Sequence, residues 1–509
     1  MTMFAPASPE HPASTDDPIT TIVIAGATGD LAQRKLLPAL YHLWIKGRLA
    51  PNATIVGFSR AMMTTDEFRE FMWRGIQEIG GIEPNRDQWD AFAPRLSYFG
   101  GDLGSAEDVS VLGRHLDEIE GGDPHANRLF YLSITPAIFE PAVTSLNACG
   151  LVEESPETGW RRVVVEKPFG RDLATANALN RTIHRVFREE QVYRIDHYLG
   201  KETVQNLLVL RFANAIFEPI WNRNYVDNVQ ITVAESVDVG ERAGYYDQFG
   251  VVRDMIQNHL LQVLALVTME PPVTLEADSL RDKKVEALRA IRPWTALEAA
   301  RNAVRAQYIG YRDARGVDPH SATPTYAAMR LYLDNWRWQG VPFYLRSGKA
   351  MARKSSEIAI EFRAPPHRIF PANPMWGPLA NILTLRLQPD EGVHLRFAAK
   401  LPDQGMAVRP VDMDFFYGTE FGTEDLPEAY ERLLRDALDG DASLFIRNDH
   451  IEEAWKIVDP LLEAWEDSIS HPVQWYEPGT WGPETADALL SQDGRSWASV
   501  GERHGRISD

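Results

Sequence analysis

At 509 residues the chain exceeds the roughly 250–300 residues at which a single core stops growing, which excludes one compact domain. Its 44% hydrophobic and 24% charged residues, with no apolar run of about 18 or more, describe a globular protein and exclude a membrane-spanning or disordered one. The net charge of −20 opposes nucleic acid and anionic membranes as partners, so an anionic ligand needs a local basic pocket. The single Cys149 excludes an intrachain disulfide, a thiolate metal cluster and a CxxC pair, and fits a reducing cytoplasm.

Residues 1–17, rich in Pro, Ser, Thr and acid, are expected to form a disordered tail; they lack the basic and apolar regions of a signal peptide. From Thr21 to Ala25 an apolar run predicts a buried strand. Gly26 and Gly29 turn the chain, and Leu36, Leu37, Leu40, Leu43 and Trp44 follow at helical spacing. A second apolar run, Ala53 to Phe58, completes a βαβ unit, whose right-handed crossover implies a parallel sheet. Further strands at RLFYLSI and RRVVVEKPFG continue the alternation, which predicts a doubly wound, Rossmann-type domain over residues 18–197.

The pattern changes after RIDHYLGKE. VDNVQITVAESVDVG, EIAIEFRAP, NILTLRLQP and VHLRFAAK alternate as strands with few helices between them, which predicts a larger α+β domain over residues 198–509 with a mainly antiparallel sheet. EAYERLLRDALDG and EEAWKIVDPLLEAW read as amphipathic helices covering a sheet face, and the polar terminus SVGERHGRISD is expected to fray.

Three motifs carry chemistry. Gly26, Gly29 and Ala32 give G-x-x-G-x-x-A, an imperfect dinucleotide fingerprint. Glycine nevertheless permits the tight turn, and the helix start offers unpaired N–H groups to a pyrophosphate. The end of the second strand carries Arg60 where NAD enzymes place an acid, which favours a 2′-phosphate and so NADP; a plain strand cap is the bland reading. Next, Glu166-Lys167-Pro168 ends an apolar strand, where Lys167 can face a ligand crevice or form a plain surface pair with Glu166. Finally, RIDHYLGKE gathers Asp196, His197, Tyr198 and Lys201. The last three supply donors suited to a phosphoryl group. Asp196 is too acidic to deprotonate an alcohol and needs a histidine partner; His197 and His259 are both candidates, although neighbours on an extended segment point apart. His259, on an apolar helix, also fits a satisfied core histidine.

GATGDLAQRKL, NRLFYLSITP, EKPFGRD, RIDHYLGKE, RDMIQNHLLQ and VPFYLRSGKAMARK, in this order, resemble the glucose-6-phosphate dehydrogenase family from about Ile22 to YEPGTWGPETADALL. The resemblance implies oxidation of the C1 hydroxyl of glucose 6-phosphate to 6-phosphogluconolactone, in the oxidative pentose phosphate pathway, with hydride transfer to NADP, NAD as a possible second acceptor, and no metal. It implies His259 as general base with Asp196 as its orienting carboxylate. Substrate binding falls to Lys167, His197, Tyr198, Lys201, Glu235, Asp254, Lys349 and Lys354. Coenzyme binding falls to Gly26, Thr28, Gly29, Asp30, Leu31, Arg60, Asp102, Leu103, Tyr131 and Lys167. A cytoplasmic homodimer or homotetramer, associated through the large sheet, is likewise implied. Ser355 and His394 stand where relatives with a second, structural NADP carry a lysine and a tyrosine; Arg386 and Arg396 keep some charge, and one nucleotide per chain is expected. The rival readings are a dehydrogenase of another sugar and a non-catalytic NADP sensor; the latter would be expected to lose Asp196 or His259.

Overall fold

Among the described residues six short strands, rich in β-branched and aromatic residues, build the first sheet: β1 (Thr20–Ala25), β2 (Ala53–Ser59), β3 (Leu96–Gly100), β4 (Asn127–Leu132), β5 (Arg161–Val165) and β6 (Val192–Arg194). All pair in parallel, in the order β3-β2-β1-β4-β5-β6. Every residue of β1 is buried, as a strand covered on both faces must be. The strand order reverses direction at β1 and β4, the switch point at which open α/β sheets bind ligands. In this computed structural model the described residues are 18–79, 85–367, 369–370, 380–422, 427–466 and 471–498, so the tail 1–17 and the SVGERHGRISD terminus lie outside them.

Among the described residues the second sheet has nine strands: β7 (Val226–Ala234), β8 (Ala303–Tyr308), β9 (Tyr326–Tyr332), β10 (Pro342–Gly348), β11 (Ser355–Phe362), β12 (Ile382–Gln388), β13 (Gly392–Lys400), β14 (Val408–Phe416) and β15 (Gln474–Tyr476). Their order is β14-β13-β12-β11-β7-β10-β9-β8-β15, antiparallel except for the β7–β10 and β8–β15 pairs. The expected fold class, a doubly wound parallel-sheet domain followed by a larger, mainly antiparallel α+β domain, is the one observed. Strands β7 and β10 are buried almost throughout, whereas β13 and β14 expose much of their length.

Two compact units contain these sheets. The first comprises residues Met1–Phe169, Asn177–His197 and Glu428–Arg447; the second holds Gly170–Ala176, Tyr198–Pro427 and Asn448–Asp509. The chain thus leaves the first unit briefly over Gly170–Ala176, leaves it again between His197 and Tyr198, and returns to it over Glu428–Arg447. The helix Ala429–Asp439, which the sequence pattern assigns to a sheet face of the second domain, instead packs beside the helix Leu37–Ile45 of the first unit. Ion pairs fix it there, Lys35 Nζ to Glu428 Oε2 and Lys46 Nζ to Glu431 Oε1, both at 2.8 Å. Burial pushes the Glu431 carboxyl upward, but hydrogen bonds from His42 and Lys46 outweigh it and hold the group below the usual carboxylate range. At the other end of this helix Arg162 Nη1 donates to the Ala437 carbonyl at 2.8 Å, satisfying an orphan acceptor of the last turn.

Candidate active site

The glycine turn after β1 is shaped by close backbone approach. Gly26 has φ of 79°, and a Cβ there would lie 2.1 Å from the Ser133 carbonyl oxygen at the end of β4. Its N–H donates to the Phe58 carbonyl at 2.8 Å, and the Gly29 N–H donates to the Gly26 carbonyl at 2.9 Å. The turn therefore stays flush with the ends of β1, β2 and β4, leaving a cavity of about 340 Å³ at the switch point. Gly26, Thr28, Gly29, Arg60, Asp102 and Leu103 line it, as do Ser59, Ser133 and Thr135. Arg60 is exposed. Thr28 Oγ1 and Ser59 Oγ lie 3.0 Å apart, and Ser59 Oγ is 2.8 Å from Tyr98 Oη, so a hydroxyl chain replaces the usual acid at the end of β2. Asp102 Oδ1 accepts from the Gly104 N–H at 2.9 Å.

Four residues of the expected coenzyme set, Asp30, Leu31, Tyr131 and Lys167, are not among those that line the cavity. Asp30, exposed, pairs with Arg34 one turn on. Leu31 is half-buried at the helix start and is not part of the cavity wall. Tyr131 is wholly buried in β4, where its hydroxyl donates to Glu166 Oε1 at 2.5 Å. A second hydroxyl, from Tyr430 on the returning helix, also bonds Glu166. Burial raises the Glu166 carboxyl, opposed by both tyrosines and by the charge of Lys167, while burial and the Glu166 charge drive both phenols upward. Tyr131 thus supports the Glu166-Lys167 strand end rather than the cavity wall. Lys167, half-buried, precedes a cis proline. Asp196, 1% exposed, and half-buried His197 follow β6 at the close of the first unit.

The second unit gathers the other candidates. His259 lies on a π-helical stretch, Val252–Leu260, entered through Gly250, whose φ is 67°. A Cβ on Gly250 would meet Thr323 Cγ2 at 2.9 Å. Bonding from i to i+5 winds the backbone more slowly than an α-helix, so Asp254 and His259, five residues apart, come closer to one face than the about 140° that an α-helix would set between them. His259 stacks on the Tyr198 ring with centroids 4.5 Å apart, and Lys201 Nζ lies 3.8 Å from the centroid of that ring. Tyr198 Oη is 3.2 Å from Ser356 Oγ. Lys349 Nζ pairs with Glu235 Oε2 at 2.5 Å and lies 5.6 Å from the Tyr246 ring. Burial and the Asp254 carboxylate push the Tyr246 phenol well up, which ties Asp254 electrostatically to the same group. Lys354 is exposed just before β11.

Comparison with known proteins identifies this arrangement. Residues 23–206 match the family model "Glucose-6-phosphate dehydrogenase, NAD binding domain", and residues 208–498 match "Glucose-6-phosphate dehydrogenase, C-terminal domain". The chain belongs to the glucose-6-phosphate dehydrogenase family. It is 45% identical over 487 residues to the glucose-6-phosphate 1-dehydrogenase of Aggregatibacter actinomycetemcomitans, covering 94% of this chain and 96% of the relative. It is 44% identical to glucose-6-phosphate 1-dehydrogenase 2 of Mycobacterium tuberculosis, covering 94% of each. Among solved structures, a glucose-6-phosphate dehydrogenase in complex with its substrate glucose-6-phosphate superposes with a TM-score of 0.87 at 35% identity, covering 95% of this chain and 99% of that one. The enzyme from Mycobacterium avium gives 0.80 at 38%, with the same coverage.

Within this glucose-6-phosphate dehydrogenase family member the cavity fits a nicotinamide nucleotide, because the close approach at Gly26 opens the strand ends to a pyrophosphate. Sequence reasoning missed Ser133 and Thr135. They directly follow the apolar run of β4, and the rule that strand C-termini carry ligands would have found them. Tyr430 had no such signal, since its partner Glu166 is remote in the chain.

Proposed function

We propose that this dehydrogenase oxidises C1 of glucose 6-phosphate to 6-phosphogluconolactone with NADP as acceptor, without a metal, as a cytoplasmic homodimer serving the oxidative pentose phosphate pathway. The observation that carries the reading is the cluster of Lys201, Tyr198 and His259, in which a cation and an imidazole both lie against the ring of one phenol. Lys201, Tyr198 and His197 hold the phosphate through charge-assisted and hydroxyl donors. Glu235 and Asp254 take the sugar hydroxyls, with Lys349 and Lys354 as further basic contacts.

His259 accepts the C1 hydroxyl proton on an imidazole nitrogen as the C1–H bond breaks and the C1 carbonyl forms. Asp196 orients the ring and stabilises the imidazolium, raising its strength as a base. The nicotinamide coenzyme, when bound, supplies the hydride acceptor. Gly26, Thr28, Gly29 and Ser59 would hold it, with Arg60 on the 2′-phosphate and Lys167 beside its reacting end. One nucleotide per chain is supported by the surroundings of His394: Asp414 Oδ1 lies 2.7 Å from its Nδ1 and Asp412 Oδ1 lies 3.3 Å from its Nε2, acids that would repel a second phosphate group.

Nicotinamide absorbance tests the reading directly. Glucose 6-phosphate and glucose are each offered with NADP and with NAD in a chelating buffer. Turnover confined to the phosphorylated sugar, and fastest with NADP, is expected. Equal rates with NAD overturn the role of Arg60, equal rates with glucose overturn the phosphate clamp, and loss of activity to the chelator overturns the metal-free mechanism.

A further inference from the structure

We infer that Tyr476, from the C-terminal strand β15, is a positioning residue for the reaction: it fixes the backbone of Lys349 and so sets the affinity for the phosphorylated sugar. The inference rests on the reading of Lys349 as a substrate contact. Lys349 follows the end of β10. Its N–H donates to the Thr325 carbonyl at 3.0 Å, and its own carbonyl accepts from Tyr476 Oη at 2.6 Å. Tyr476 is 3% exposed, and Thr325 Oγ1 lies 3.1 Å from the same hydroxyl. Burial holds this phenol far above its ordinary range, so it stays a proton donor at any working pH.

The next residue, Ala350, has φ of 48°, a left-handed conformation that a side chain adopts only when its surroundings impose it. Those surroundings are visible on both sides. The Ala350 N–H donates to the Val237 carbonyl at 2.8 Å, and the Gly479 N–H donates to the Ala350 carbonyl at 2.8 Å. The Met351 N–H donates to the Glu235 carbonyl and the Ala352 N–H to the Thr480 carbonyl, both at 2.9 Å. The loop is therefore stitched between the exit of β7 and residues 476–480.

The ion pair of Lys349 and Glu235, with side chains 15% and 31% accessible, holds the end of the lysine side chain and leaves the course of its backbone to the hydrogen bonds of the peptide. Among the described residues the Tyr476 hydroxyl is the one side-chain donor that reaches the Lys349 peptide. Removing only that hydroxyl leaves the ring packed on Tyr326, 5.6 Å away between centroids, so the fold survives while the lysine loses its anchor.

The test uses the full-length enzyme as Tyr476→Phe, Lys349→Met and the double variant, with glucose 6-phosphate varied at saturating coenzyme. Tyr476→Phe should raise KM for the sugar about tenfold, leaving kcat and the coenzyme KM unaltered, and should add nothing in the Lys349→Met background. An unchanged KM, or the same rise in both backgrounds, overturns the inference. If Lys349→Met alone leaves KM unchanged, the substrate-contact reading fails first and takes the inference with it. Should Tyr476→Phe not fold, Ala350→Gly serves instead, since glycine accepts the left-handed backbone while loosening the loop. A raised KM at undiminished thermal stability is expected, and an unchanged KM overturns the proposal.

Discussion

The Lys201 ammonium lies 3.8 Å from the centroid of the Tyr198 ring, which also stacks with the His259 ring. A cation in that position gains from the ring quadrupole and brings positive charge to the face of the phenol. Lys201→Ala should therefore raise KM for glucose 6-phosphate by about tenfold to a hundredfold and change KM for glucose itself little, measured by steady-state kinetics on both sugars. Parallel losses on the two sugars would show a structural role only. The residue types of this cluster are legible in RIDHYLGKE and in RDMIQNH. Their stacking is not, because ring orientation is set by packing that links residues 198 and 259, remote from each other in the chain.

Elements show where periodicity stops informing. The apolar spacing around His259 predicts a helix, and a helix is present. Its π-helical winding, which brings Asp254 closer to the face of His259, leaves no trace in a pattern that i+3, i+4 and i+5 spacings satisfy almost equally. The helix Ala429–Asp439 was legible as amphipathic, but not the surface it would cover, because the partners of its acids, Lys35 and Lys46, lie far away in sequence. This helix also carries a pH-dependent strain. Burial, with smaller contributions from Asp441 and Asp439, pushes the Asp436 carboxyl up to about 6 against the opposing charge of Arg432. A raised folded pKa means that folding favours the protonated acid, so its stabilising contribution is present in acid and lost as the pH rises from about 4 through about 6. Asp436→Asn should therefore raise the thermal midpoint at pH 8, by at most about 3 kcal/mol of stability, and give no gain near pH 4. A lower midpoint at pH 8 would mean that the ion pair with Arg432 outweighs the burial cost.

For the whole molecule, a net charge of −20 leaves recognition of an anionic sugar to local clusters of bases. Both fold classes were legible, since β-branched runs alternate with helices before RIDHYLGKE and with turns after it. The return of residues 428–447 to the first unit was not, because a chain read in order gives no sign of a segment that folds with an earlier sheet. The central claim is that His259 performs the proton transfer, and His259→Asn tests it most directly through kcat and KM for glucose 6-phosphate with NADP. Turnover should fall by about two to four orders of magnitude while KM stays within a few-fold, because only transition-state proton removal is lost. Near-normal kcat would contradict the assignment and leave His259 a packed core histidine.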